Sequence, residues 1–144
     1  MAISLEQTLE QIEKEQWNEP THDSYLVTTC HRLRKKPLQA FTTEDFRILI
    51  GQNLSLSILI PLAFERLQQN IMVEGDYYPG DLLKNILTSE ESYWRQNLIL
   101  QRRLCRLYKS NLVTIEKQAD QSIPRSILKE IAEAFNAFER INSG

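Results

Sequence analysis

The sequence predicts an all-α fold, a single irregular bundle of about six or seven helices, and three observations carry that prediction. The 144-residue chain holds four glycines and five prolines, so residues that favour turns are few. Leu, Ile, Glu, Gln, Lys and Arg, all favourable in helices, fill the long stretches between those breaks. Apolar residues recur at three- and four-residue spacing, and no two segments share the alternating pattern of neighbouring strands. Length and a 42% apolar content suit one domain over residues 1–144 with a continuous core.

A first helix is expected from Ser4, because Leu5, Leu9, Ile12 and Gln16 recur on one side. Pro20 ends it by biasing Glu19 away from the helical region. Asp23 is a suitable N-cap for a second helix over residues 24–35, with Leu26, Cys30 and Leu33 on its apolar side. Arg32, Arg34, Lys35 and Lys36 gather at its carboxyl end, where the helix dipole favours cations. Phe41-Thr42-Thr43-Glu44-Asp45 reads as the next helix start: Thr42 caps, Asp45 answers three residues later, and Phe41 staples onto the first turns. That helix ends near Gly51. The apolar run over residues 54–69 predicts a central buried helix, with Pro61 either kinking it or marking a boundary.

The character of the chain changes at Glu74-Gly75-Asp76-Tyr77-Tyr78-Pro79-Gly80-Asp81, which is the main non-helical loop. A short helix over residues 81–87 follows. Ser89 is then expected to cap one long helix whose stripe is Trp94, Leu98, Cys105, Tyr108, Leu112 and Ile115, widened by Leu100, Leu104 and Leu107. Ser122 and Pro124 open a last helix with Ile127, Leu128, Ile131, Phe135, Phe138 and Ile141 on one face.

A formal net charge of -2 and a 25% charged fraction belong to an ordinary folded protein. Residues 1–16 carry Glu6, Glu10, Glu13 and Glu15 and lack the cationic start and apolar stretch of a signal peptide. The most apolar window, residues 54–64, is shorter than the ~20 residues a membrane helix needs. A cytoplasmic, membrane-free protein is expected, with Cys30 and Cys105 as reduced, largely buried thiols.

Catalysis finds little support. The histidines are His22 and His31, and Cys30 and His31 are adjacent, so on a helix their side chains point about 100° apart. No short Cys or His pair has zinc-ligand spacing, and the phosphate-loop and dinucleotide motifs are absent. The expectation is therefore no enzyme, no metal and no cofactor. An enzyme reading would rest on unrecognised geometry around Glu44, Asp45, Asp76 and His31.

Two charge clusters of opposite sign remain. Glu74, Asp76, Asp81, Glu90 and Glu91 stand against Lys84 alone in residues 74–91, and Tyr77 and Tyr78 are amphipathic anchors among them. Arg95, Arg102, Arg103, Arg106 and Lys109 form the second cluster, with no acid between residues 95 and 109. For both clusters the plain alternative is a solvated surface. The basic run supports a rival function, a helical nucleic-acid-binding or regulatory module, although the sequence pI of about 5.7 and the lack of a recognition motif weigh against it.

Several words along the first half carry a resemblance. They are Asp23-Ser24-Tyr25-Leu26-Val27, Cys30-His31-Arg32-Leu33-Arg34-Lys35-Lys36-Pro37-Leu38, Phe41-Thr42 with Glu44-Asp45, and Arg47-Ile48. Ile50-Gly51-Gln52-Asn53, Ile60-Pro61-Leu62-Ala63 and the stretch from Glu74-Gly75-Asp76 through Asp81-Leu82-Leu83 continue in order. Together they resemble the immunity proteins of bacterial contact-dependent growth inhibition over residues 17–87, about half of the chain. The resemblance implies a cytoplasmic antidote that binds the C-terminal toxin domain of a secreted effector, often a nuclease, and it supplies no catalytic residues. On that reading Glu74, Asp76, Tyr77, Tyr78 and Asp81, with Glu90 and Glu91 beside them, are the expected toxin contacts.

Overall fold

The computed structural model describes residues 3–18, 24–119 and 123–143, without the side chains of 119, 142 and 143, and these contain nine α-helices, two short 3-10 helices and no strand. The α-helices are α1 (Leu9–Glu13), α2 (Tyr25–Leu33), α3 (Thr43–Gly51), α4 (Leu56–Gln69), α5 (Asp81–Leu87), α6 (Glu91–Arg95), α7 (Leu98–Ser110), α8 (Leu112–Ala119) and α9 (Arg125–Glu139). The 3-10 helices are Leu38–Ala40 and Arg140–Ser143. The all-α class holds, with more and shorter helices than expected.

Local rules account for α3, α5 and α9. The Asp45 N–H donates to Thr42 Oγ1 (3.2 Å) and the Thr42 N–H donates to Asp45 Oδ2 (3.0 Å), which is the reciprocal cap the sequence predicts. Phe41 and Phe46 pack at 5.3 Å between ring centroids, completing the staple. α5 has the predicted bounds. α9 buries Leu128, Ile131, Phe135 and Phe138 along one face, with Ile141 just beyond it.

Several expectations are corrected. The first helix does not begin at Ser4: residues 4–7 form a turn, Thr8 caps α1 with Gln11 as its partner, and Lys14 ends it in the left-handed conformation, leaving Leu5 and Gln16 outside. In α2 the first turn overhangs the core. Ser24 caps it, Asp23 lies outside the described residues, and Leu26 is 38% exposed while Thr29, Cys30, His31 and Leu33 face inward. Arg34 does not serve that helix end from the surface but is buried, paired with Glu13 and lying 4.5 Å from the Trp17 ring centroid, and so ties down the N-terminal segment.

The long helix expected after Ser89 is three helices, α6, α7 and α8, and both breaks fall at an asparagine. Asn97 Nδ2 donates to Tyr93 O (2.7 Å) and Asn111 Nδ2 donates to Leu107 O (2.8 Å), each side chain taking the carbonyl that a continuing helix would have used. Ser89 does not cap either. Its buried hydroxyl donates to Ile86 O (2.5 Å) and accepts from Trp94 Nε1 (2.8 Å).

α4 stays helical through Pro61. The hydrogen bond that Pro61 cannot make would go to Ser57 O, and both residues lie on the exposed side of the helix, where the missing bond costs less than in the core. Its other face is buried and packs on α3. α3 also packs on α5, and α5 on α9, so α5 lies between the two halves of the core. Leu49, Leu59, Leu82, Leu83, Ile86, Trp94 and Phe138 are fully buried within one contiguous apolar cluster. Each contributes roughly 1.5–3 kcal/mol by leaving water.

Candidate functional site

The loop between α4 and α5 is folded around two carboxylates. Asp81, only 2% exposed, accepts the Gly75 N–H on Oδ1 (2.6 Å) and the Tyr77 and Tyr78 N–H groups on Oδ2 (3.1 and 3.4 Å). Glu44, reaching across from α3, accepts the Asp76 N–H on Oε1 (2.8 Å). Four successive backbone donors, which a loop would otherwise leave to water, are thus fixed. Arg47 joins the two acceptors: it donates to both oxygens of Glu44 at 2.6 Å, and its Nε lies 3.8 Å from Asp81 Oδ2.

Glycine is favoured at two points. Gly80 has φ +88°, and a Cβ there would lie 2.6 Å from Ile131 Cδ1; a Cβ on Gly75 would lie 2.6 Å from Glu44 Oε1. An isolated antiparallel bridge between Glu74 and Pro79 closes the base of the loop.

What this frame holds outward is Tyr77, 69% exposed, with the Arg47 guanidinium carbon 4.3 Å from its ring centroid. Beside it Glu74 and Asp76 are exposed, and the Asp76 carboxylate has no hydrogen bond or ion pair among the described residues. Tyr78 is half-buried and turns back toward Lys84, which is also paired with Glu130. Five of the seven residues singled out in the sequence therefore meet in this loop, with Asp81 on its inside. Glu90 and Glu91 do not join them. α5, about 10 Å long at 1.5 Å per residue, separates them from the loop. The Glu90 N–H donates to Asn53 Oδ1 (2.8 Å), and Glu91 pairs with Arg95 (3.0 Å). Glu44 and Arg47 were not legible as part of this site: an acid and an arginine three residues apart read as an ordinary helix-surface pair.

Among known protein families, residues 11–104 match the CDI immunity proteins, which is well over half of the chain. The chain belongs to the CDI immunity proteins. No curated protein and no solved structure matches it. The family match runs past Leu87, where the resemblance of the first half stopped, and takes in α6 and the first half of α7. This is an immunity protein against a CDI toxin, and the binding surface for that toxin is what its geometry has to supply.

The remaining candidate residues of the immunity protein lie apart from the loop. His31 is buried with Nε2 3.3 Å from Trp17 O, while His22 lies outside the described residues. Burial pushes the thiols of Cys30 and Cys105 up, so both resist ionisation at neutral pH. Asp45 is engaged by Lys36 (2.6 Å) and by its capping bond. Among the described residues no group of three or more His, Cys, Asp and Glu side chains is placed to hold a metal ion, and no helix is long and apolar enough to cross a membrane.

The hydrogen bonds from Arg47 hold the Glu44 carboxyl below its ordinary value, with the Asp76 N–H adding to the effect. A carboxyl lowered on folding contributes stability that is complete above its unfolded pKa of ~4.3 and is lost as pH falls through the folded value. The urea midpoint is therefore expected to fall between pH 6 and pH 3, and Glu44→Gln, which has no such proton to bind, is expected to show a shallower fall. Equal slopes in the two proteins would refute the assignment.

Proposed function

We propose that the immunity protein neutralises its toxin by seating the acidic, aromatic tip of the α4–α5 loop on a basic surface of the toxin domain, and that this toxin is a nuclease acting in the cytoplasm. The observation that carries the reading is the division of labour within the loop. Asp81 and Glu44 are consumed in holding the backbone, while Tyr77, Asp76 and Glu74 project outward from a backbone that is already held, the Tyr77 ring lying against Arg47. A side chain presented in a fixed position loses little conformational freedom on binding, and an exposed tyrosine among carboxylates is a composition that anchors interfaces. A nuclease binds a polyanion, so its cleft is cationic, and a carboxylate-bearing tip complements it and accelerates encounter. In this reading Tyr78 packs the loop onto α5, Asp81 positions, and Glu90 and Glu91 add to the acidic field from beyond α5.

The test is the affinity for the cognate toxin domain. Asp76→Ala combined with Tyr77→Ala is expected to weaken binding about 10- to 100-fold, chiefly through faster dissociation, with the unfolding midpoint preserved. An unchanged dissociation rate in the folded double variant would remove the loop from the interface. Purified toxin domain that leaves RNA and DNA intact would remove the nuclease assignment.

A further inference from the structure

The outward face of α7 is a second surface, which shares no residue with the frame of the loop. At 100° per residue Ile99, Arg103, Arg106 and Ser110 fall on one stripe, with Arg102 and Lys109 along its side, opposite the buried Gln101, Leu104 and Tyr108. Lys109 is paired with Glu139 and Arg95 with Glu91. Arg102, Arg103 and Arg106 meet no carboxylate among the described residues. The Arg103 guanidinium carbon lies instead 4.9 Å from the ring centroid of Phe64 on α4. Arg106 stands between two surface notches. One, of about 350 Å³, has Phe64 and Leu107 in its lining; the other, of about 320 Å³, is lined by Cys105 and Glu139. Ile99, at the amino end of the stripe, is 75% exposed.

We propose that this face binds an acidic amphipathic segment of a protein partner, with its carboxylates on Arg102, Arg103 and Arg106 and one apolar side chain in the Phe64–Leu107 notch. Charge complementarity argues for that occupant, because a guanidinium without a counter-ion is a planar fork suited to a carboxylate. The composition agrees, since arginine beside aromatic and aliphatic groups is typical of the buried centre of protein interfaces. A nucleic acid fits less well. Glu139 borders the second notch, the chain carries a formal charge of -2, and Phe64 is covered by Arg103 and so offers no open ring on which a base could stack. The surface is separate from the loop tip, so this inference holds whether or not the tip contacts a toxin.

The experiment titrates an amphipathic peptide of about five helical turns, with leucine on one face and glutamate on the other, into the isotope-labelled full-length protein. The same peptide with lysine for glutamate and a short single-stranded RNA are the comparisons. The glutamate peptide is expected to shift the amide resonances of Phe64, Gln68, Arg103, Arg106 and Ser110, with a dissociation constant on the order of 10–100 μM. Arg103→Glu with Arg106→Glu is expected to weaken it at least ~10-fold. Leu107→Ala, which leaves every charge in place, is expected to weaken it by about 3-fold. Asp76→Ala with Tyr77→Ala is expected to leave it unchanged, which keeps this result apart from that of the loop. Should the glutamate pair fail to fold, Arg103→Gln with Arg106→Gln gives the same readout. Absence of shifts on α7 overturns the proposal, as does equal binding of the lysine peptide. RNA that binds this face where the glutamate peptide does not would replace it with the nucleic-acid reading.

Discussion

Trp94→Ala is expected to lower the free energy of unfolding by about 3–5 kcal/mol, the usual range for deleting a fully buried tryptophan. The side chain is 0% exposed and meets Phe138 edge-on at 4.8 Å and Tyr93 at 5.1 Å between ring centroids. Its Nε1 donates to Ser89, whose own hydroxyl donates to Ile86 O. The residue therefore joins α6, the end of α5 and α9 at once, and its truncation leaves a cavity between them. Urea denaturation gives the number; a loss below about 1.5 kcal/mol would mean that the site collapses around the smaller residue. Ser89→Ala leaves the buried indole N–H without a partner and is expected to cost about 1–3 kcal/mol of the same stability.

The second large effect belongs to Asp81. Asp81→Ala removes the acceptor of three backbone N–H groups and a neighbour of Arg47, and each hydrogen bond to a charged group is worth roughly 1.5–3 kcal/mol. The three bonds share one carboxylate, so their contributions do not add fully, and a loss of about 3 kcal/mol is expected. Toxin affinity is expected to fall with it, because the tip loses its frame. Measuring affinity well below the unfolding midpoint separates the two effects: a folded Asp81→Ala protein with unchanged toxin affinity would show that the frame does not matter for binding.

The features legible in the sequence are those set by residues close together in the chain. Thr42, Asp45 and Phe41 specify the start of α3 within a few positions, and the apolar spacing from Ile127 to Phe138 specifies the buried face of α9. Asp81 was legible as an acid of the loop, but the frame it shares with Glu44 and Arg47 joins residues more than thirty positions apart, and no local pattern records that encounter. The breaks in the C-terminal half had a signal that hydrophobic periodicity overrode: Asn97 and Asn111 interrupt runs of good helix formers, and asparagine competes for backbone carbonyls. The inward turn of Arg34 had none, since a cation near a helix end reads most simply as a surface group.

The loop frame grips Gly75, Asp76, Tyr77 and Tyr78 by their backbone N–H groups, which every residue except proline possesses. At positions 76 and 77 the identity of the side chain is therefore largely uncoupled from the bonds that shape the loop. On the reading proposed above, such a loop is an exchangeable cartridge: with the scaffold and the two clamping carboxylates kept, a new pair of tip residues would change the toxin recognised without asking the chain to fold anew.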